Sequence, residues 1–253
     1  MLTVIKIGSN ILTTPDNKLD LNNLRNLCNQ IASLLTNSHK IIIVTSGAIV
    51  CGSERLEVTA SSIPEKQAAA AVGQSLLINE YNNFLEPHSI PVAQILLTKD
   101  GLEEEQRHQN ARNTIETILK LGAVPIINEN DTVAIDEIRF GDNDMLSASV
   151  ARLVEAQRLV ILTDIDGLYT ANPRLNKDCQ LIPEVKVIDE NLEKLACDKG
   201  SGKGVGGMVT KIAAAKLATE AGIETIVANG REKDVLLRML LENERLGTLF
   251  CKQ

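Results

Sequence analysis

Two lysine-containing segments have the composition of anion-binding sites. Lys6 lies between Ile5 and Ile7 in an apolar run, and a lysine buried there would need an anionic partner. Residues 200–211 are rich in glycine and precede an expected helix, whose free N–H groups and positive dipole end would face an anion. Phosphate fits both segments. The alternatives are a lysine solvated at a sheet edge and a flexible loop.

The glycine-rich run matches neither of two familiar phosphate motifs. A Walker A loop would need glycine where Cys197 stands and serine or threonine where Gly204 stands. The letters Gly202-x-Gly204-x-x-Gly207 fit a dinucleotide fingerprint, but no expected strand directly precedes them. We therefore interpret this second match as accidental.

Polar residues also follow four of the apolar runs that read as strands. These segments are residues 6–10, 45–48, 128–131 and 163–167. Each alone is typical of an ordinary turn, because turns favour glycine, serine, asparagine and aspartate. Ligands of open α/β sheets bind outside the carboxyl ends of the strands, so four such ends at one edge favour a binding site. Asp142, Asn143 and Asp144 begin a helix, and an acidic cap accounts for only the first of them.

Short β-branched runs alternate with longer amphipathic segments along the chain. Strands are predicted at residues 2–7, 40–45, 91–97, 123–128, 158–163 and 224–228. Helices are predicted at residues 21–35, 65–84, 106–121, 142–155, 207–221 and 232–242. Several strands are almost continuously apolar, as central strands covered on both faces are. The pattern predicts an α/β fold, a three-layer αβα sandwich with a mainly parallel central sheet.

Two irregular stretches interrupt this alternation. Residues 129–141 are polar and then read as a small hairpin over residues 133–140, and residues 166–204 contain Asn172-Pro173 and Ile182-Pro183. No linker, repeat or shift in composition divides the chain. We expect a single domain over residues 1–253, with an N-terminal lobe of about residues 1–155 and a C-terminal lobe of about residues 156–253.

Composition argues against several classes of function. The 253 residues carry a formal net charge of −7 and only 2% aromatic residues, which disfavours nucleic-acid binding by stacking or by a basic patch. The five cysteines form no Cys-x-x-Cys pair, and the three histidines are far apart, so no zinc or other metal site is expected. Cys51 is interpreted as a small core residue. No membrane segment is expected, and unpaired thiols favour the cytoplasm.

Six motifs occur in the order found in the amino acid kinase family, and the chain resembles that family over nearly its whole length. They are Val4-Ile5-Lys6-Ile7-Gly8-Ser9, Val44-Thr45-Ser46-Gly47-Ala48-Ile49, Ile127-Asn128-Glu129-Asn130-Asp131, Gly141-Asp142-Asn143-Asp144, Leu162-Thr163-Asp164 with Gly167-Leu168-Tyr169, and Gly206-Gly207-Met208-Val209-Thr210-Lys211. The second, third and fourth motifs are specific for the branch that acts on glutamate. The resemblance implies a carbamate kinase-like fold.

The resemblance also implies a reaction, in which the γ-phosphoryl group of ATP passes to the side-chain carboxylate of L-glutamate as the first step of proline biosynthesis. Mg²⁺ would bridge the phosphates without a dedicated protein cage. The carboxylate is already ionised at neutral pH, so no general base is needed. Catalysis then requires alignment and charge neutralisation.

Site residues follow from the resemblance by motif. Lys6 and Lys211 match the two catalytic lysines, and Asp144 matches the aspartate that holds them. Glutamate would contact Ser46, Gly47, Asn128, Asp131, Asp142 and Asn143, with Asp131 proposed to pair with the α-ammonium group. ATP would contact Lys6, Gly8, Thr163, Asp164, Val205, Gly206, Gly207, Met208, Val209, Thr210 and Lys211. Residues 110–114 are expected near the substrate loop, and the scarcity of aromatics suggests aliphatic and backbone contacts to adenine.

Further expectations and alternatives stay open at this point. Many members of this branch carry a C-terminal PUA domain, and the chain ends at Gln253, so we expect that domain to be absent. A homo-oligomer, dimer or tetramer, and feedback inhibition by proline are expected from the resemblance, without nucleic-acid or membrane partners. The alternatives are another kinase of the family, such as one acting on acetylglutamate, and a non-catalytic amino-acid sensor on the same fold.

Overall fold

One eight-stranded sheet forms the centre of the molecule in the computed structural model, which describes residues 1–133, 143–173, 175–176, 178–197 and 207–253. The strands are β1 (Leu2–Ile7), β2 (Lys40–Thr45), β3 (Val92–Leu97), β4 (Val124–Glu129), β5 (Arg158–Thr163), β6 (Glu184–Val185), β7 (Glu224–Asn229) and β8 (Thr248–Phe250). Their order is β3-β4-β2-β1-β5-β7-β8-β6, and every neighbouring pair is parallel except β7 with β8. The mainly parallel sheet predicted from the sequence is confirmed.

Helices cover both faces of this sheet. They are α1 (Ser9–Leu12), α2 (Leu21–Thr36), α3 (Ala48–Leu56), α4 (Ile63–Leu85), α5 (Lys99–Glu103), α6 (Glu105–Lys120), α7 (Asn143–Leu153), α8 (Glu190–Cys197), α9 (Met208–Thr219) and α10 (Val235–Leu240), with a 3₁₀ turn at Glu86–His88. The helix predicted over residues 232–242 is shorter, because Asp234 adopts a left-handed conformation directly before Val235. The hairpin predicted over residues 133–140 lies outside the described residues from 134 onward.

The central strands are buried on both faces, as their continuous apolar runs predict. Ile41 and Ile43 of β2 belong to the hydrophobic cluster that includes α2 and α4, whereas Ile42 and Val44 belong to the cluster on the opposite face with α7 and α9. This alternation is the two-residue period of a strand, so both layers of helices pack on the same short segment. The expected three-layer arrangement follows directly.

Helices α3 and α4 cross in backbone contact. A Cβ atom at Gly73 of α4 would overlap the carbonyl oxygen of Ala48, and one at Gly52 of α3 would overlap the carbonyl oxygen of Ala69. Only glycine permits so close an approach at these two positions. The contact fixes α4 against the polypeptide that follows β2.

Cys51 is 6% exposed and packs in the hydrophobic core, which agrees with its interpretation as a core residue. Burial raises the pKa of its thiol to about 12, so the thiolate that a nucleophile requires is disfavoured. Across the described parts of the chain, no helix combines the length and the apolar character that crossing a membrane would require.

Candidate active site

A cluster of three buried charges lies at the carboxyl edge of the sheet, and we call Lys6, Asp144 and Lys211 the charge cluster. Lys6 Nζ lies 2.7 Å from Asp144 Oδ1, and Lys211 Nζ lies 3.1 Å from Asp144 Oδ2. Lys6 comes from β1 in the middle of the sheet, Asp144 from the first turn of α7, and Lys211 from the first turn of α9. The anionic partner that the sequence required for a buried lysine is therefore Asp144.

The charge cluster carries two positive charges and one negative charge, a net of 2 − 1 = +1. Burial alone would raise the pKa of Asp144, but Lys6 and Lys211 hold that pKa at about 2, so the carboxylate stays ionised. Burial lowers the pKa of Lys211, and Lys6 lowers it further, while Asp144 raises it. A buried site with this surplus positive charge suits an anion such as a transferring phosphoryl group.

The first turn of α9 also supports Asp144 with an uncharged hydrogen-bond donor. The hydroxyl of Thr210 lies 2.8 Å from Asp144 Oδ2 and 2.8 Å from the carbonyl oxygen of Gly207. Ser147 donates from its hydroxyl to the backbone oxygen of Asp144 over 2.6 Å. The carboxylate is thus held by α9, whereas the bond from Ser147 holds the backbone of the same residue.

A second group, the amide cluster, consists of Gln74, Asn128 and Asn143 and lies beside the ends of β2 and β4. Asn143 Nδ2 donates to Asn128 Oδ1 over 3.1 Å, and Asn128 Nδ2 donates to Gln74 Oε1 over 2.8 Å. Asn143 Nδ2 also lies 2.9 Å from the backbone oxygen of Thr45 and 3.0 Å from Ser46 Oγ. Asn143 and Asp144 are consecutive, so α7 contributes one side chain to each cluster.

The glycines of the predicted site have distinct backbone roles. Gly47 has φ +106°, a left-handed conformation that favours glycine, and it turns the chain from β2 into α3. The amide of Gly8 donates to the oxygen of Leu162 over 3.1 Å, and a Cβ at Gly8 would lie 2.9 Å from that oxygen. Gly8 therefore lets β1 and β5 approach closely where Lys6 enters the charge cluster.

Thr163 and Asp164 follow β5 at the same edge of the sheet. Asp164 Oδ2 accepts from Asn10 Nδ2 over 3.2 Å, and Thr163 Oγ1 lies 3.3 Å from Asp164 Oδ1. The negative charge of Asp164 favours the protonated form of Lys211 and raises its pKa. The predicted nucleotide residues of β5 and α9 are therefore close enough to interact electrostatically.

The remaining predicted residues are placed as follows. Asp131 is half-buried in a turn after β4, Met208 packs partly against the core, and Val209 is exposed. Residues 110–114 are helical within α6, where Arg112 pairs with Glu116 at 2.9 Å and with Glu155 at 2.8 Å. Asp142, Val205 and Gly206 lie outside the described residues, and so does most of the glycine-rich run over residues 200–211.

Sequence reasoning missed Gln74, which is 8% exposed and bonded to the predicted residue Asn128. A glutamine in the alanine-rich middle of a long helix carries no turn signature, and the neighbouring Gly73 serves the contact with α3. The available signal was the spacing of Gln74, Leu77 and Tyr81, which place one helical face toward the sheet, and Tyr81 bonds to Thr45 Oγ1 over 2.8 Å.

Comparison with known proteins identifies the family. The model of the amino acid kinase family matches residues 1–229. A glutamate 5-kinase of Geobacter sulfurreducens is 51% identical over 249 residues, covering 98% of this chain and 66% of the relative. A glutamate 5-kinase of Streptococcus suis is 46% identical, covering 98% of this chain and 69% of the relative. The chain thus spans about two thirds of the length of these curated relatives.

Solved structures agree on the fold. An isopentenyl phosphate kinase superposes with a TM-score of 0.68 at 18% identity, covering 99% of this chain and 100% of the other. The UMP kinase of Bacillus anthracis superposes with a TM-score of 0.64 at 16% identity, covering 100% of this chain and 96% of the other. With the family model and the close relatives, these similarities establish that the chain belongs to the amino acid kinase family.

Proposed function

We propose that this chain transfers the γ-phosphoryl group of ATP to the side-chain carboxylate of L-glutamate, giving L-glutamyl 5-phosphate for proline biosynthesis. The observation that carries the proposal is Asp144 held between Lys6 and Lys211 in a buried cluster of net charge +1. The name glutamate 5-kinase, shared by relatives at 45–51% identity, supports the choice of acceptor.

The charge cluster would act by neutralising the transferring group. The attacking carboxylate is ionised at neutral pH, so the protein has no proton to remove. With a pKa of about 2, Asp144 is ionised throughout the neutral range and is unsuited to donate a proton. Its role in the proposal is to hold the two ammonium groups at fixed positions, where they face developing negative charge without reorganising.

The residues that would accompany Mg²⁺ fit a metal held mainly by the nucleotide. Within the described ranges, no three His, Cys, Asp or Glu side chains come together as a metal site. Mg²⁺ in kinases commonly keeps water ligands and binds substrate phosphates with one or two carboxylates. Asp164, beside the charge cluster, is the carboxylate we propose near it. When bound, the metal would neutralise phosphate charge.

The amide cluster would recognise the acceptor. Ser46 Oγ accepts from Asn143, so its own hydroxyl hydrogen is oriented away from that bond and can donate to a carboxylate. The α-ammonium group of glutamate would form an ion pair with Asp131 and donate a hydrogen bond to the amide oxygen of Asn143. Substrate recognition thus rests on short polar groups at the ends of β2 and β4.

Proline and a second copy of the chain complete the proposal. Proline carries the same α-carboxylate and a secondary ammonium, so we expect it to compete with glutamate at the amide cluster. We also propose a homo-oligomer and a cytoplasmic location, both from the resemblance in the sequence. A light-scattering mass and competition kinetics with proline test the first two expectations.

The decisive assay supplies purified protein with ATP, Mg²⁺ and L-glutamate. ADP should accumulate only when glutamate is present, and hydroxylamine should trap the product as the γ-hydroxamate. L-Aspartate, N-acetylglutamate and UMP serve as control acceptors. Preferred turnover of any of these would overturn the choice of glutamate, and glutamate binding without ADP release would instead indicate a sensor.

A further inference from the structure

The hydrogen bonds of the amide cluster determine which way each amide points. The backbone N–H of Glu129 donates to Asn128 Oδ1 over 2.9 Å, which fixes that atom as the oxygen. Asn128 must then donate through Nδ2, so its partner atom on Gln74 must be the oxygen Oε1. The backbone oxygen of Thr45 likewise fixes the nitrogen of Asn143. Amide orientation here follows from backbone groups that have only one role each.

This directionality leaves one donor and one acceptor unsatisfied. Gln74 Nε2 and Asn143 Oδ1 are both buried, and neither has a hydrogen-bond partner among the described residues. Buried polar atoms without partners are disfavoured, because they lose their hydrogen bonds to water without replacing them. The two atoms terminate one hydrogen-bonded chain, Gln74–Asn128–Asn143, at the substrate end of the sheet.

Helix α4 holds Gln74 in this position from both sides. Gly73, its neighbour, is in backbone contact with Ala48 of α3, and Tyr81, two turns along the same face, bonds to Thr45. The backbone at Gln74 therefore cannot move away from the strand ends without separating two packed helices. The unsatisfied donor is carried by a helix that is fixed at both neighbouring contacts.

We propose that Gln74 is a substrate-binding residue, whose Nε2 donates a hydrogen bond to the α-carboxylate of the amino acid. The unpaired oxygen of Asn143 is its counterpart and accepts from the α-ammonium group. The donor at one end of this amide chain and the acceptor at the other are the two kinds of group that the carboxylate and the ammonium of an amino acid require. The assignment rests on the proposed function, and it adds a residue that would distinguish glutamate from an amine that lacks the α-carboxylate.

The test uses Gln74→Glu, which keeps an oxygen for Asn128 but replaces the donor with a second acceptor. The KM for L-glutamate should rise roughly 10- to 100-fold, the range expected for a lost hydrogen bond to a charged group. The KM for ATP and kcat at saturating glutamate should stay within about threefold. Gln74→Met, of similar length and without polar hydrogens, provides a second variant should the glutamate variant not fold.

Two competitors separate binding of the α-carboxylate from a structural role. Glutarate retains both carboxylates, whereas 4-aminobutyrate lacks the α-carboxylate. In Gln74→Glu, inhibition by glutarate should weaken about as much as the KM for glutamate rises, and inhibition by 4-aminobutyrate should change less than threefold. Equal weakening of both competitors, or an unchanged KM for glutamate, would overturn the assignment and leave the Gln74 donor satisfied by water alone.

Gln30 offers a matched control. It is buried on α2, its Oε1 accepts from the amide of Leu236 over 2.9 Å, and its Nε2 also lacks a partner among the described residues, but it faces α10. Gln30→Glu should leave the KM for glutamate and both inhibition constants unchanged. Calorimetric titration of L-glutamate and glutarate repeats the comparison without turnover, so an inactive parent chain would defeat the proposed function separately from the role of Gln74.

Discussion

The charge cluster and the amide cluster lie side by side, but ionic interactions hold the first together and directed hydrogen bonds between neutral groups hold the second. The charge cluster joins full charges from three separated parts of the chain, and its excess of one positive charge must be balanced by something outside it. The amide cluster is neutral, and its partners are fixed by the direction of each hydrogen bond. The positive charge of the first cluster attracts any anion. The directed hydrogen bonds of the second cluster favour only a ligand whose donors and acceptors are arranged to match. We therefore propose phosphoryl transfer as the role of the first cluster and substrate selection as the role of the second.

Removing the central carboxylate should have the largest effect of all. Asp144→Asn leaves two buried ammonium groups facing a neutral side chain, and breaking a buried ion pair from one side costs about 3–5 kcal/mol of unfolding free energy. Urea unfolding measures this, with exposed Asp16→Asn as the control expected within about 0.5 kcal/mol of the parent. Equal losses in the two variants would contradict a buried charge cluster.

Removing one lysine should affect the chemical step more than binding of glutamate. Lys211→Ala, and likewise Lys6→Ala, should lower kcat by about 100- to 1000-fold, as loss of one preorganised donor does, with the KM for glutamate within about threefold. Lys216→Ala, on the same helix but paired at the surface with Glu193, should retain parental kcat. Parental kcat in Lys211→Ala would break the division between the clusters.

Alkaline pH should reproduce part of the fall in kcat that is expected for Lys211→Ala. The pKa of Lys211 is lowered in the folded chain, so its ammonium charge is lost at a pH below the ordinary 10.5 and kcat should fall there. The same shift makes the folded state release its proton before the unfolded state does, so the contribution of this group to stability increases with pH. We therefore expect kcat to fall at alkaline pH while the protein is still folded, which a pH profile of kcat and an unfolding curve at each pH would show. The residual activity of Lys211→Arg should persist to higher pH, and identical alkaline limbs would contradict the role of Lys211.

Disrupting the amide cluster should act mainly on KM. Asn143→Leu removes the donor shared by Thr45, Ser46 and Asn128, and we expect the KM for glutamate to rise roughly 10- to 100-fold. The change in kcat should be smaller. Steady-state kinetics measure both constants, with exposed Asn191→Leu on α8 as the control. A fall in kcat with unchanged KM would place Asn143 functionally in the charge cluster instead.

The smallest effect is expected from the hydroxyl that supports Asp144. Thr210→Val preserves the shape of the side chain but removes its hydrogen bond, which should cost about 1 kcal/mol of unfolding free energy. The value of kcat should fall far less than in Lys211→Ala. Thr117→Val, whose exposed hydroxyl donates to the backbone oxygen of Asn113 in its own helix, is the control. A kcat loss as large as that of the lysine variants would show that Thr210 itself contacts the transferring group.

The charge cluster was easier to anticipate from sequence than the amide cluster. A lysine inside an apolar strand is physically unusual, so Lys6 by itself predicted an anionic partner. That this partner is Asp144 was expected only from a motif. Gln74 is ordinary in a helix, and only the folded arrangement shows that its donor has no partner among the residues the structure describes. The pairing of β8 with β7 was also missed, because a three-residue strand has too little pattern, and its pairing depends on distant parts of the chain.

The backbone contact between α3 and α4 has a consequence for redesign. In the proposed site Gln74 would contact the substrate from α4, whereas the charge cluster is carried by β1, α7 and α9. A library of substitutions confined to the face of α4 that packs on the sheet, with Gly73 unchanged, would vary the acceptor preference. The three residues of the charge cluster would stay as they are. The contribution of α4 to substrate selection can therefore be varied without changing any residue of the charge cluster.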